Sequence, residues 1–198
     1  MISRKANPKH GDSREEKTFS EDAVFVILGL GSNRYFNEFS PVQILGKALG
    51  ILFGFLEDLS FSSVYKTRAM YLENQADFYN MVVSGYFKGD AFSLLKKLHI
   101  LEEKLGRNRE SEVRNGPRSI DADIEIFGNQ HINERELIVP HEKLKERAFV
   151  LVPMLEVLEK LADKEEVGLS ELRELVQSEK IRSQKIELFI KKEDFFWN

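Results

Sequence analysis

The sequence of 198 residues contains no cysteine and no long hydrophobic run. Without cysteine, the chain has no disulfide bonds, no thiolate catalysis and no cysteine-ligated zinc or iron–sulfur site. The longest apolar stretch, Val24 to Gly31, is far too short to span a bilayer. We therefore expect a cytoplasmic protein with no membrane partner.

A surplus of positive charge is also missing. Twenty-nine Lys and Arg residues face 33 Asp and Glu residues, which gives a net charge of −4. This balance argues against nucleic acid as a partner. Hydrophobic residues make up 42% and charged residues 31%, as in a globular protein with a real core, and the length favours one domain.

The two ends of the chain differ from its middle. Residues 1–22 are polar and charged and lack the apolar segment of a signal peptide, so we expect a disordered tail. Residues 23–160 carry the hydrophobic periodicity of a folded domain. Residues 161–198 are expected to be an extension that packs on the same domain.

The hydrophobic pattern predicts the order strand, helix, strand, strand, helix, strand. The strands are predicted at 23–30, 59–67, 78–87 and from 121, and the helices open after the cap residues Ser40 and Asp90. Two further helices, near 149–161 and 169–179, and a strand at 185–191 follow. This succession predicts an α+β fold with a ferredoxin-like βαββαβ core, in which an antiparallel sheet carries helices on one face.

The most informative segment is 114–127, where a Gly-Pro turn and Arg118 precede a strand that opens with Asp121 and Asp123. Alternation places both aspartates on one face, roughly 7 Å apart, and predicts Ala122, Ile124 and Ile126 in the core. Two carboxylates beside an arginine suit Mg²⁺ holding a polyphosphate. The alternative is a solvated strand face.

Several other side chains are candidates for binding phosphate. Four arginines lie between the second helix and the aspartate strand, and their planar forks suit phosphate oxygens, although they equally fit a solvated loop: Arg107, Arg109, Arg114 and Arg118. His99 and Glu102 share one side of the preceding helix and either face the site or lie at its boundary. His141, in a loop, is either a phosphate donor or a structural residue.

Aromatic residues suggest a second substrate. Phe78 and Phe149 fit a core, but beside Asn80, which needs a partner if buried, they would also hold a flat heterocycle. The glycine-containing segment 29–33 lacks the lysine of a P-loop and the third glycine of a dinucleotide site, which excludes both motifs.

Taken in order, these segments resemble the 6-hydroxymethyl-7,8-dihydropterin pyrophosphokinase family of folate biosynthesis. The resemblance covers roughly residues 23 to 158. Its pieces are Gly29-Leu30-Gly31-Ser32-Asn33, Ser62 to Thr67, Phe78-Tyr79-Asn80, Glu102 to Arg109, Gly116 to Ile124, Val139-Pro140-His141 and Arg147-Ala148-Phe149.

The resemblance implies transfer of pyrophosphate from ATP to a pterin alcohol, with release of AMP. Asp121 and Asp123 would hold two Mg²⁺ ions, and Arg107 and Arg118 would stabilise the transferred group. ATP would be bound by His99, Glu102, Arg109, Arg118, Ile124, Leu137, Ile138, His141 and Arg147. The pterin would be bound by Thr67, Met70, Phe78, Asn80 and Phe149.

The chain departs from the family pattern at a few positions. Arg68-Ala69 stand where prolines are usual, and Asn115 stands where a tryptophan precedes Gly-Pro. His99 replaces a glutamine, and Glu142 replaces an aromatic residue. Alternative hypotheses are a magnesium-dependent transferase with another acceptor, a relative that binds nucleotide without catalysis, and an RNA-binding sheet, which the acidic charge disfavours.

Overall fold

The computed structural model describes residues 22–70, 74–109, 112–113, 115–161 and 169–196. The tail expected at 1–22 lies outside the described residues except for Asp22. Within the described ranges, no helix is long and apolar enough to cross a membrane.

The described part of the chain contains eight strands, five α-helices and two short 3₁₀ helices. The strands are β1 (Ala23–Ser32), β2 (Leu56–Phe61), β3 (Val64–Thr67), β4 (Phe78–Lys88), β5 (Asp121–Phe127), β6 (Ile132–Asn133), β7 (Ile138–Val139) and β8 (Glu187–Ile190). The helices are α1 (Pro41–Leu52), α2 (Ala91–Lys104), α3 (Ala148–Leu161), α4 (Leu169–Gln177) and α5 (Glu179–Arg182).

Six strands form one antiparallel sheet. The order of strands across the sheet is β5-β1-β4-β3-β8. Strand β2 also pairs with β4, but with a different part of it from β3. The pair β6 and β7 forms a separate ribbon. The predicted α+β fold with an antiparallel sheet is confirmed, and the predicted order of the core elements holds with one strand divided. The ribbon of β6 and β7 and the short helix α5 were not predicted.

The helix starts follow from their cap residues. Ser40 forms a capping box with Gln43, and Pro41 occupies the first turn. Asp90 caps α2 by accepting a hydrogen bond of 2.7 Å from the backbone N–H of Ser93. Beyond α2, Gly106 has a φ of +85°, a conformation that favours glycine.

The sheet has a packed layer on each face. Helices α1 and α2 cover one face, and the main core there includes Leu28, Leu45, Leu49, Leu98 and Leu101. Helix α3 covers the other face, where it packs on β1 and β4 through Ile27, Val82, Met154 and Val157. The two helices of the predicted βαββαβ core, α1 and α2, therefore pack on one face as expected, and α3, which was predicted as an additional helix outside that core, covers the opposite face.

The strand predicted at 59–67 is two strands, β2 and β3. At the break, the backbone N–H of Ser63 donates 2.9 Å to the carboxylate of Glu156 on α3 instead of joining the ladder. Ser62 Oγ accepts a hydrogen bond of 3.0 Å from the backbone N–H of Val82. The sequence pattern missed the break because its cause is a side chain about 90 residues away along the chain.

The segment after α3 returns to the sheet. Ile181 on α5 is buried against Ala148 and Leu151 of α3. Strand β8 then pairs with β3, so that Ile190 lies opposite Val64. Strand β8 is therefore the edge strand of the sheet, next to β3.

Candidate active site

A cleft of about 230 Å³ opens on the sheet face that carries α3. Strands β1, β4 and β5 form its floor, and the segments that precede β4, β5 and α3 form its walls. Most of the predicted site residues line it: Thr67, Met70, Phe78, Asn80, Arg107, Arg109, Arg118, Asp121, Asp123, His141, Arg147 and Phe149. The structure therefore brings the predicted phosphate-binding and heterocycle-binding residues into one cleft.

A second cleft of about 220 Å³ lies on the far side of β5. It shares Arg109, Asp123 and His141 with the first cleft, so the two clefts are neighbours. Four of the five remaining predicted residues line the second cleft, namely His99, Ile124, Leu137 and Ile138. Glu102 lines neither cleft and is buried beneath them.

Strand β5 positions the two aspartates. Asp121 and Asp123 lie opposite Gly31 and Gly29 of β1, and their side chains retain 20% and 31% exposure, which leaves both accessible to a ligand. Ala122 and Ile124 are in the main core, as predicted.

Ile126 is not in that core, so this prediction is wrong. The pairing of β1 with β5 is irregular at this point, since Leu28 lies opposite Ile124 and its neighbour Ile27 lies opposite Ile126. Glu125 therefore has no partner residue on β1 and forms a β-bulge. After the bulge the alternation is reversed. Ile126 packs on the α3 side, and Phe127 takes the core position.

Asp121 is held by two arginines. Its Oδ1 accepts a hydrogen bond from Arg107, and Arg118 Nη2 lies 3.1 Å from its Oδ2. Burial alone raises the pKa of Asp121, but the positive charges of Arg118 and Arg107 outweigh it, so the pKa lies below its ordinary value. Asp121 is therefore ionised at physiological pH.

Asp123 is less strongly neutralised. Arg147 Nη1 donates 3.2 Å to its Oδ2, and His141 Nε2 lies 3.9 Å from the same oxygen. Burial and the neighbouring charge of Asp121 raise the pKa of Asp123 to about 6. Burial and Arg147 lower the pKa of His141 to about 4, so this imidazole is neutral at physiological pH.

Glu102 anchors the arginine loop from below. Its side chain is 1% exposed, and it binds Arg107 and, over 2.6 Å, Arg109 Nη2. Burial raises the pKa of Glu102, while the two arginines oppose that rise. The residue predicted at the nucleotide boundary thus orients two arginines that face the cleft.

One wall of the cleft combines aromatic rings with a buried amide. Asn80 Nδ2 donates 2.9 Å to Thr67 Oγ1, and its Oδ1 lies against Gly31, where a Cβ would approach it to 3.0 Å. Phe78 and Phe149 border the same space, with Arg118 over the Phe78 ring at 5.3 Å. The buried amide has the partner that the sequence analysis required.

Asn33 links the two loops that flank the cleft. Its Nδ2 donates 3.0 Å to Gln75 Oε1, and its Oδ1 accepts 2.8 Å from the backbone N–H of Arg118. Gln75 in turn donates 3.0 Å to the carbonyl of Asn115. These contacts link Gln75, before β4, to Asn115 and Arg118, before β5.

The sequence model of the 7,8-dihydro-6-hydroxymethylpterin-pyrophosphokinase family matches residues 27–159, which include all of β1 to β7 except the first residues of β1. The chain belongs to this family. The match includes every predicted site residue, and the resemblance inferred from the sequence is confirmed.

Relatives of known function agree with the membership in the pyrophosphokinase family. The chain is 42% identical over 100 residues to the 2-amino-4-hydroxy-6-hydroxymethyldihydropteridine pyrophosphokinase of Bacillus subtilis, covering 50% of this chain and 59% of that protein. It is 36% identical over 132 residues to the Aquifex aeolicus protein of the same name, covering 67% and 79%. The folate synthesis bifunctional protein of Arabidopsis thaliana is 35% identical over 74% of this chain, which spans 28% of that protein.

Solved structures support the pyrophosphokinase fold. An HPPK-DHPS protein crystallised with substrates superposes with a TM-score of 0.55 at 15% identity, over 69% of this chain and 40% of that one. The HPPK-DHPS protein of Plasmodium falciparum, a triple mutant, gives 0.55 at 15% identity, over 86% and 47%. At this identity the likeness concerns the fold alone.

Among the residues of the first cleft that the sequence analysis missed is the acidic residue Glu125. It lines the cleft, is 1% exposed, and has a pKa raised to about 8 by burial and by the charge of Asp123. The signal was present in the sequence, since period two places residue 125 on the face of Asp121 and Asp123.

Proposed function

We propose that the chain transfers pyrophosphate from ATP to the hydroxymethyl group of 6-hydroxymethyl-7,8-dihydropterin and releases AMP, a step of folate biosynthesis. The carrying observation is one cleft that joins Asp121 and Asp123 to Phe78, Asn80 and Phe149. A polyphosphate site and a heterocycle site that share a floor suit a transfer between two bound substrates.

The proposed unit is the domain of residues 23–160 acting as a monomer on small molecules. The family match at 27–159 supports these bounds. Residues 161–198 are proposed to be an extension of the same domain, supported by the pairing of β8 with β3.

Asp121 and Asp123 are proposed to hold two Mg²⁺ ions. The described residues include no group of three or more acidic or histidine side chains that would bind a metal unaided. Two partly exposed carboxylates nevertheless fit Mg²⁺, which completes its shell with water and phosphate oxygens. Bound there, the metal supplies positive charge to the transferring phosphates.

Arg107 and Arg118 are the proposed catalytic residues. Each guanidinium already contacts Asp121, and Arg118 Nε is buried without a hydrogen-bond partner among the described residues. A planar donor that faces phosphate oxygens stabilises negative charge that develops during the transfer. These arginines therefore act through charge and orientation.

ATP is proposed to lie across both clefts. Its phosphates face Arg109, His141 and Arg147, whose polar atoms converge near Asp123 and Glu102. The base lies in the second cleft, against Ile124, Leu137 and Ile138, with His99 at its edge. Neutral His141 binds a phosphate oxygen as a hydrogen-bond donor.

The pterin is proposed to stack between Phe78 and Phe149. Asn80 and the chain at Thr67 and Met70 read its polar edge. Ring stacking supplies affinity, and the buried amide supplies orientation. This arrangement directs the hydroxymethyl group toward the aspartates.

The proposed transfer is an in-line displacement. The hydroxymethyl oxygen forms a bond to the β-phosphorus of ATP, while the bond from that phosphorus to the α–β bridging oxygen breaks. AMP leaves with that oxygen, and the hydroxyl proton passes to solvent. Catalysis rests on positioning and charge, since phosphoryl-type transfers need no strong base.

A transferase that uses the same nucleotide site with another acceptor is the second candidate. It is favoured by Arg68 and Ala69, which line the cleft beside Met70 where the family usually has prolines. An exposed arginine there would suit an acceptor that carries negative charge.

The test is AMP formation from Mg·ATP, with and without 6-hydroxymethyl-7,8-dihydropterin, in the wild type and in Asp123→Ala. We expect pterin-dependent AMP that is lost in the variant. AMP formation that is independent of the pterin, or its absence from the wild type, would contradict the proposal.

A further inference from the structure

Glu125 is a buried carboxylate that the proposed reaction does not use. Its side chain lies in the floor of the cleft, and both carboxylate oxygens are buried without a hydrogen-bond partner among the described residues. Burying a polar group in this way destabilises a fold. A costly residue in the floor of an active site suggests a functional role.

Two local features place Glu125 below the cleft. The alternation along β5 directs its side chain to the same face as that of Asp123. Gly29 of β1 leaves space for the head group, since a Cβ at this position would approach Glu125 Oε1 to 2.8 Å. The carboxylate therefore lies under the cleft, against the neighbouring strand.

Arg147 lies between two carboxylates. Its Nη1 is 3.2 Å from Asp123 Oδ2 and 4.0 Å from Glu125 Oε1. Asp123 is the outer carboxylate, 31% exposed, and Glu125 is the inner one, 1% exposed. An arginine remains charged at any physiological pH, so it needs an acceptor wherever it lies.

We propose that Glu125 is a positioning residue that keeps Arg147 at the phosphate site when Asp123 is engaged by the bound metal–nucleotide. The inference rests on the proposed function, which gives Asp123 that role. Glu125 does not touch the nucleotide, because its oxygens are closed to solvent. It acts by offering Arg147 an acceptor on the side away from the ligand.

The alternative is that Glu125 affects nucleotide binding only through its charge. The two hypotheses predict different results for Glu125→Leu. If Glu125 acts only through its charge, removing it from below a polyphosphate relieves whatever repulsion that charge exerts and should leave binding unchanged or tighten it. If Glu125 positions Arg147, the same change should weaken binding.

The experiment measures the affinity for Mg²⁺ with α,β-methylene-ATP by calorimetry in the wild type, Glu125→Leu, Arg147→Ala and the double variant. We expect about tenfold weaker binding for each single variant. The double variant should bind no more weakly than Arg147→Ala, because Glu125 acts through that residue. Ile126→Leu, beside the bulge, is the control and should bind as the wild type does.

A melting curve separates this role from damage to the fold. Because Glu125→Leu removes a buried carboxylate that has no hydrogen-bond partner among the described residues, we expect its melting temperature to rise by about 2–4 °C while nucleotide affinity falls. The proposed role of Glu125 would be overturned if Glu125→Leu bound the nucleotide as tightly as the wild type or more tightly. It would also be overturned if the loss of affinity in the double variant equalled the product of the losses in the two single variants.

The calorimetric experiment measures nucleotide binding and does not require turnover. If the protein used an acceptor other than the pterin, these affinities would not change, and only the proposed acceptor would be wrong. A wild-type protein that failed to bind the nucleotide would overturn the proposed function and the role of Glu125 with it.

Discussion

The carboxylate of Glu102 on α2 accepts a hydrogen bond of 2.9 Å from the backbone N–H of Ala122 on β5. Ala122 is the residue between the two aspartates, so this bond fixes the helix to the strand that carries them. The same carboxylate also binds Arg107 and Arg109. One buried side chain thus sets the position of the acidic and the basic halves of the site.

Loss of this carboxylate should destabilise the fold. In Glu102→Ala, Arg107 would lose one of its carboxylate partners in a site where its side chain is 10% exposed. We expect the free energy of unfolding to fall by about 3 kcal/mol, as measured by urea denaturation. Glu103→Ala, one residue along the same helix and exposed, is the matched control and should change it by less than about 0.5 kcal/mol. Equal losses in the two variants would contradict the anchoring role.

Arg118 should affect turnover far more than stability. Its side chain is 21% exposed and contacts Asp121 at the cleft, where the transferred group is proposed to lie. We expect Arg118→Ala to lower kcat by about 10²-fold or more, without a comparable rise in the KM for ATP. The exposed Arg182 is the control, since Arg182→Ala should leave kcat unchanged. A variant that raised only the KM for ATP would place Arg118 in nucleotide binding alone.

Phe78 should control affinity for the acceptor. Because its ring borders the cleft beside Asn80, Phe78→Ala should raise the KM for the pterin by about tenfold and leave the affinity for the ATP analogue within about twofold. Phe92→Ala removes an exposed ring from α2 and should change neither value. If the ATP affinity fell as far as the pterin affinity, the two substrates would not occupy the separate regions proposed.

The metal-free stability should fall as the pH rises above neutrality. Folding raises the pKa of Glu125 from 4.5 to about 8, so the folded chain binds more protons than the unfolded chain between these values. The free energy of unfolding then decreases with rising pH. The raised pKa of Asp123, about 6, also makes the unfolding free energy fall with rising pH, but mostly at lower pH. The lowered pKa of His141 has the opposite effect, and only between about pH 4 and 6.5.

Between pH 6.5 and 8, we therefore expect the wild type to lose about 1.5 kcal/mol of unfolding free energy. This loss is measured by urea denaturation at each pH in the absence of metal. The variant Glu125→Gln, whose side chain cannot titrate, should lose less unfolding free energy over the same pH range. Parallel pH profiles for the two proteins would show that Glu125 is not the source.

Local signals in the sequence were sufficient for much of the fold. Ser40 and Asp90 mark helix starts through hydrogen bonds to residues three positions away. Alternation was sufficient to place Asp121 and Asp123 on one face of β5. Such features depend on neighbours along the chain, so they can be predicted without the tertiary structure.

The errors arose where distant residues determine local structure. The break between β2 and β3 depends on Glu156, which satisfies the backbone at Ser63. The inversion at Ile126 depends on a shift in pairing with β1, and the depth of Glu125 depends on the absence of a side chain at Gly29. None of these relationships can be predicted from the sequence around the residue that it affects.

The most direct test of the proposed activity is the ³¹P NMR spectrum of a reaction that contains Mg·ATP, 6-hydroxymethyl-7,8-dihydropterin and the wild-type protein. We predict equal amounts of AMP and a pterin diphosphate ester, whose two phosphorus nuclei are coupled to each other. ADP with a pterin monophosphate would show transfer of a single phosphoryl group. That result, or an unchanged ATP spectrum, would contradict pyrophosphate transfer.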